Sequence, residues 1–297
     1  MNLDPETYDS PVRWARRGRV SRLLARAWPM HSPPVLVLSA PRSGSSWVGS
    51  TLVTAANAAY LYEPINQPLQ TSQPRDTVRA IDRERPDAEY AALAEAAFMG
   101  WPGTSARCVR FPWQWRLPQR LGRRVVVKEV NPLAAGYFIR RFKPRVIFLV
   151  RHPAAVALSF MRPGWWTVEK NTWRGMGAWQ SQTLRAAYDA LEGYGAARYG
   201  LYEALCLDPI AHFRGVFAFA GLRWQGPTEA YLQQATTGGN RHDAYSTARH
   251  SQRMAYAWKA EMSAGALAAL REGFSVCDLP WYRSDADWAL EPASVSA

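Results

Sequence analysis

The sequence predicts an α/β domain: three layers with a central parallel sheet, and Trp-rich helical and loop insertions laid over it. Three observations carry this. The runs VLVLS (35–39), VVVK (125–128) and VIFLV (146–150) are apolar without a break, as strands buried on both faces require. Each is followed by a helical candidate, and strand-helix alternation implies a parallel sheet. In the first unit the strand reaches its helix through a turn of small residues.

Along the chain, residues 11–28 come first, with six arginines interleaved with Trp14, Val20, Leu23, Leu24 and Trp28. The commoner use of such a pattern is a helix packing its apolar side on the core. The rarer one is an interfacial helix on an anionic membrane. His31 to Pro34 end the segment, and VLVLS leads into the helical candidate SSWVGSTLVTAAN. AAYLY (58–62) reads as the second strand. Residues 64–118, rich in Pro, Gln, Arg and Trp around one helix, DAEYAALAEAAF, read as an insertion. VVVK then precedes the helix PLAAGYFIRRF, and VIFLV precedes PAAVALSFM. A second Trp-rich insertion, RPGWWTVEKNTWRGMGAW, follows. The expected organisation is a basic N-terminal extension over 1–30, one domain over 31–277, and a loosely ordered tail over 278–297.

At 297 residues and 48% hydrophobic, the chain can bury one sizeable core. A net charge of +12 and a pI near 10.0 favour polyanionic partners. Cys108, Cys206 and Cys277 fit neither a disulfide framework nor a zinc site. With no run of about 18 apolar residues and no signal-peptide order at the start, the expectation is a cytoplasmic protein, with peripheral membrane contact through 11–28 as the exception.

The most informative stretch is VLVLSAPRSGSSWVGSTL. A strand running through a small-residue turn into a helix brings backbone N–H groups and the helix dipole onto one anion. Ser43, Ser45 and Ser46 add hydroxyls around Gly44, and Arg42 adds a planar cationic fork. This is not a Walker A loop: GxxxxGK[ST] is missing, and the third strand ends in Arg151 where a metal-binding Asp would stand. In VIFLVRHPAAVALSF, Arg151 leaves a buried strand and Ser159 lies just over two helical turns onward, so the pair can clamp a second phosphate.

These residues carry a resemblance. PRSGSSW resembles the 5′-phosphosulfate loop of the sulfotransferases that use 3′-phosphoadenosine 5′-phosphosulfate (PAPS), and Arg151 with Ser159 resembles their 3′-phosphate site. YEALCLDPIAHFRGVFAFAGL (202–222) is similar to the family's strand-to-helix segment, and STARHSQRMAYAWKAEMS (246–263) to the C-terminal region of its carbohydrate branch. The resemblance implies a P-loop-like fold, PAPS as donor, the bisphosphate PAP as product, and no metal. It places Arg42, Ser43, Gly44, Ser45 and Ser46 on the phosphosulfate and Trp47 against adenine. Arg42 stands where many members have Lys, and Ser45 and Ser46 where many have Thr. The Arg-Lys-Gly type of C-terminal nucleotide motif is absent, which leaves Thr247 and Arg249 as candidates to close over the adenosine.

Sulfuryl transfer shares the electrostatic demands of phosphoryl transfer, and Arg42 can support the leaving phosphate oxygen. The acceptor also needs a base. By position the candidates are Glu63 in YLYEP, Glu129 in VVVKEV and His152 beside Arg151. Glu63 leads, because the carbohydrate and bacterial branches resemble this chain in having a catalytic Glu there. The competing role for Glu63 is a structural pair with an arginine. Adjacent strand residues face opposite sides, so only one of Lys128 and Glu129 is expected to point into the cleft. Trp113, Trp115, Trp165, Trp166 and Trp173 fall in the insertions, where they suit either an acceptor or plain core packing. The acceptor classes are a carbohydrate, a glycolipid or a secondary-metabolite hydroxyl or amine. Two other readings compete: a P-loop kinase-like phosphotransferase, and a basic nucleic-acid-binding protein for which charge is the only support.

Overall fold

The computed structural model describes residues 19–66, 77–101, 108–169, 171–237 and 251–290. Among the described residues five strands, β1 (His31–Ser39), β2 (Ala58–Tyr62), β3 (Arg124–Glu129), β4 (Arg145–Val150) and β5 (Ala197–Leu201), form one sheet in the order β2-β3-β1-β4-β5. Every pairing is parallel. The unbroken apolar runs now have their reason. Along each strand, alternate side chains enter opposite layers, and both layers are closed. Leu36, Leu38, Val125, Val127, Val146 and Phe148 join one core cluster. Val35, Val37, Val126, Ile147 and Leu149 join the other.

The helices are α1 (Arg19–Ala27), α2 (Ser45–Leu52), α3 (Ala88–Phe98), α4 (Ala135–Phe142), α5 (Pro153–Met161), α6 (Trp173–Leu191), α7 (Tyr202–Leu207), α8 (Pro209–Ala220), α9 (Gly226–Thr237), α10 (Ser251–Tyr256), α11 (Trp258–Glu261) and α12 (Ala264–Phe274). Asp87 caps α3 by accepting from the Tyr90 N–H, and Pro153 opens α5 at the position where its missing N–H costs nothing. The C-terminal end of α1 is docked by the buried Arg120, whose guanidinium donates to the carbonyls of Trp28 and Gly100.

Three expectations are corrected. Residues 202–222 are not a strand and helix but two helices, and the strand lies just before them as ARYGL. That strand is an edge strand whose side chains are half-buried or, at Arg198, exposed, so it lacks the apolar run that marked the others. The second Trp-rich stretch is partly a layer of the fold. Its C-terminal half opens α6, which packs on α12 where Gly177 and Gly273 bring the two backbones together. A Cβ at either would meet the backbone of the other helix. Residues 278–290, expected to be a loosely ordered tail, pack onto the domain instead: Leu279 and Trp288 are buried, and a short 3₁₀ turn, Asp285–Trp288, is capped by Ser284. The sequence signal was LPWYRSDADW, whose aromatics fall without periodicity.

The topology sets the site. β1 and β4 are neighbours, so their carboxyl ends bring the first turn beside Arg151. β2 and β3 are neighbours, and their ends bring Glu63 beside Lys128 and Glu129. These four ends lie along one edge of one sheet, where open α/β sheets bind ligands.

Candidate active site

The turn after β1 takes two left-handed residues, Arg42 (φ 66°) and Gly44 (φ 90°), before α2 begins. At Gly44 the backbone requires glycine twice over: its φ is positive, and a Cβ would run into the Tyr202 ring. Ser39 Oγ donates to Ser45 Oγ at 2.9 Å and ties the strand end to the first turn of the helix. Ser43 and Ser45 are buried, while Arg42, Gly44 and Ser46 keep partial exposure. The first N–H groups of α2 have no acceptor within the helix, so the turn presents donors, hydroxyls and one guanidinium together. That is the chemistry of an anion cradle.

The second predicted site lies against the first. Arg151 Nη1 donates to the Arg42 carbonyl at 3.0 Å, and its guanidinium lies 4.4 Å from the centre of the Tyr202 ring. Arg42 Nε donates to Ser159 Oγ at 2.9 Å, and the same guanidinium faces the Trp165 ring at 5.5 Å. Ser159 therefore bonds Arg42, where the sequence had paired it with Arg151. The result is one continuous cationic patch across the ends of β1 and β4.

Trp47 is buried edge-on against Tyr202 at 6.0 Å and Phe213 at 5.2 Å, in the helical layer under the cradle. Thr247 and Arg249 lie outside the described residues. Among the insertion tryptophans, Trp115 and Trp166 are buried in the core, whereas Trp113, Trp165 and Trp173 are half-buried.

The carboxylate cluster occupies the ends of β2 and β3. Glu63 sits at φ 46°, its N–H donates to the Lys128 carbonyl at 2.8 Å, and its Oε1 receives the Lys128 ammonium. The partner of Glu63 is thus a lysine of the neighbouring strand. Glu63 is 7% exposed, so its carboxylate is close to solvent without being in it. Lys128 also lies 4.5 Å from the centre of the Tyr62 ring, and Arg110 stacks on the same ring at 3.5 Å. Glu129 is buried as well. Its Oε1 accepts from the Ile65 N–H at 2.7 Å, and burial, followed by the neighbouring Glu63, pushes its carboxyl up to about 8. Lys128 and Glu129 are both buried, and they face opposite sides of the strand as adjacent strand residues should: Lys128 meets Glu63 and Glu129 meets the Ile65 N–H.

His152 is a structural residue. It caps α5, with Nδ1 accepting from the Ala154 N–H, and its ring stacks on Trp258 at 4.1 Å. Burial brings its imidazole down to about 3, so it stays neutral through the physiological range. Its own N–H donates to Glu203 Oε1 at 3.0 Å, and Glu203 Oε2 accepts from the Tyr282 hydroxyl at 2.7 Å. Tyr202, Glu203 and Tyr282 are the residues that sequence reasoning missed. Nothing in a single sequence says which aromatic will wedge under a distant glycine.

Among the described residues no group of His, Cys, Asp and Glu is placed to hold a metal ion, and no helix is long and apolar enough to cross a membrane. A family model described as "Sulfotransferase family" matches residues 33–226, well over half of the chain and the part that holds the cradle, Arg151, Ser159 and Glu63. No curated protein matches the sequence. Three solved structures to which the chain is similar are the following. The sulfotransferase domain from the curacin biosynthetic pathway is 16% identical over 82% of this chain and 98% of that one, with a TM-score of 0.47. The sulfotransferase domain of the Synechococcus PCC 7002 olefin synthase is 18% identical over 85% and 97%, also at 0.47. A mouse sulfotransferase complexed with PAP is 11% identical over 90% and 92%, at 0.44. The chain belongs to the sulfotransferase family.

Proposed function

We propose that this protein moves a sulfuryl group from PAPS to a hydroxyl or amine of a small acceptor, with Glu63 as the base. The observation that carries the reading is two guanidiniums, Arg42 in the turn after β1 and Arg151 bonded to that turn from the end of β4, beside a carboxylate at the neighbouring strand ends of the same sheet edge. The backbone N–H groups of the turn, with Ser43, Ser45 and Ser46, hold the phosphosulfate. Arg151 takes the 3′-phosphate, and Ser159 braces the Arg42 fork. When bound, PAPS supplies an activated sulfuryl group.

Glu63 accepts the acceptor's proton as the acceptor oxygen or nitrogen bonds to sulfur. Arg42 stabilises the charge that collects on the 5′-phosphate oxygen as its bond to sulfur breaks. Lys128 holds the Glu63 carboxylate in a buried ion pair and so fixes where it points. Trp113, Trp165 and Trp173, half-buried in the insertions, and Arg110 on Tyr62 offer faces for a carbohydrate, glycolipid or secondary-metabolite acceptor. The N-terminal segment, whose Val20 and Leu23 are 69% and 63% exposed on α1 among arginines, brings a cytoplasmic enzyme to anionic membrane.

The test is ligand-induced stabilisation. PAPS and PAP raise the melting temperature without magnesium, by mass action on the folded state, and ATP does much less. Equal shifts from magnesium-ATP with none from PAP would favour a phosphotransferase. Retention on DNA above that on immobilised PAP at matched salt would favour a nucleic-acid-binding protein.

A further inference from the structure

The last two residues of β3 grip the turn that carries Glu63 from both faces of the sheet. By strand alternation Lys128 follows Val126 into the layer of α2 and α8, and Glu129 follows Val127 into the opposite layer. On the first face Lys128 binds the Glu63 carboxylate and, through its carbonyl, the Glu63 N–H. The chain then bends at Glu63 through its positive φ and crosses to the other layer. There Ile65 joins the opposite core cluster, and its N–H donates to Glu129 Oε1 at 2.7 Å. A non-glycine residue in a left-handed bend persists only where its surroundings over-determine it. Glu129 is half of that determination.

The charges agree with the geometry. Burial, followed by the neighbouring Glu63, raises the Glu129 carboxyl. Glu129 is wholly buried, and its Oε2 finds no hydrogen-bond partner among the described residues. The groups facing it are Glu63 and Lys128, the N–H groups of Ile65 and Asn66, and the Tyr90 hydroxyl from α3. Glu129 keeps the proton at neutral pH, and Lys128 pairs with Glu63.

We propose that Glu129 is a positioning residue for the base: its buried carboxyl anchors the Ile65 N–H, fixes the bend at Glu63 and keeps the Glu63 carboxylate on Lys128. This rests on the reading of Glu63 as the base. Glu129→Gln keeps the acceptor oxygen and the neutral form, whereas Glu129→Ala removes the anchor and Glu129→Asp withdraws it by one methylene.

The test measures four quantities on the full chain: melting temperature, PAP affinity, hydrogen exchange of the Ile65 amide, and turnover with labelled PAPS on the acceptor returned by an extract screen. Glu129→Gln should turn over within about threefold of wild type, with the Ile65 amide still protected. Glu129→Ala should lose roughly 10- to 100-fold in kcat, the lower part of the range for a lost acid-base group, with PAP affinity unchanged and rapid Ile65 exchange. If the alanine variant does not fold, Glu129→Asp should show the same split.

A merely structural carboxyl would move melting temperature and PAP affinity together and leave kcat per folded molecule intact, which would overturn the proposal. So would a folded Glu129→Gln as inactive as the alanine variant, because Glu129 would then be an acid or base in its own right. Glu63→Gln run in parallel separates the two readings. If Glu63→Gln turns over normally, the base assignment fails. If it is inactive while Glu129→Ala and Glu129→Asp are not, only the positioning role fails.

Discussion

The side chain of Arg42 donates through Nε to Ser159 Oγ at 2.9 Å, and the carbonyl of the same residue accepts from Arg151. The two anion-binding elements are therefore one mechanical unit: a change at the end of β4 is felt in the turn after β1. Arg151→Ala releases the Arg42 carbonyl and, with Arg151 in its proposed role, removes a charge-assisted contact to the 3′-phosphate. PAP affinity should fall by about 1.5 to 3 kcal/mol, with Ser159→Ala costing about 1 kcal/mol through the lost brace on Arg42. Calorimetric titration with PAP checks both. Wild-type affinity in both variants would place the 3′-phosphate elsewhere.

Gly44 should be irreplaceable. Gly44→Ala puts a methyl group against the Tyr202 ring at a backbone angle that costs about 1 to 2 kcal/mol for any L side chain. The expected result is a lower melting temperature and loss of PAP-induced stabilisation, read in one thermal-shift series. Unaltered PAP stabilisation in Gly44→Ala would show that the cradle does not depend on this approach.

Glu129 gives the protein a pH signature. Its folded-state carboxyl titrates near 8, above the ordinary carboxylate range, so the folded chain holds a proton that the unfolded chain has already released. Its contribution to stability is full below the ordinary range and is lost as pH rises through about 8. Glu129→Gln should flatten the fall in stability between pH 5 and about 8.5, as measured by denaturant midpoints. An identical slope in both proteins would mean that Glu129 is ionised throughout.

Residues 278–290 should be needed for folding rather than dispensable. Trp288 is buried against His152 at 4.8 Å and donates its indole N–H to the Tyr282 carbonyl. Trp288→Ala should cost about 3 to 5 kcal/mol as a large-to-small core change, which urea denaturation would reveal. A change under about 1 kcal/mol would return this segment to the status of a surface tail.

Liposome flotation tests the N-terminal segment. The full chain should float with anionic vesicles and less so as salt rises. A chain lacking residues 11–28 that floats equally, or a full chain that never floats, would leave only the helix docked by Arg120.

The parts of the fold legible in the sequence were those where one residue type has one physical explanation. AAYLY, PAAVALSFM and the three apolar runs became elements at or near their expected limits, because double-sided burial and a proline at a helix start leave little choice. The turn after β1 was legible because strand, small residues and helix follow one another directly. Edge strand β5 was not, since its half-buried and exposed side chains make no apolar run. The Arg42 to Ser159 bond and the Lys128 to Glu63 pair were not either, because each joins residues whose proximity comes only from strand order. Glu129 and Lys128 were expected to face opposite sides of their strand, and they do; what the sequence did not show is that the bend at Glu63 lets one turn be held from both faces.

The central claim is that Glu63 removes the acceptor's proton. Glu63→Gln keeps the shape of the turn, but it leaves Lys128 without its carboxylate, and breaking a buried pair can cost about 3 to 5 kcal/mol. Melting temperature and sulfuryl transfer from labelled PAPS must therefore be read on the same preparation. Glu63→Gln should fold, bind PAP like wild type and turn over about 10² to 10⁴ times more slowly. A folded variant within about threefold of wild-type turnover, far short of a missing base, would contradict that claim.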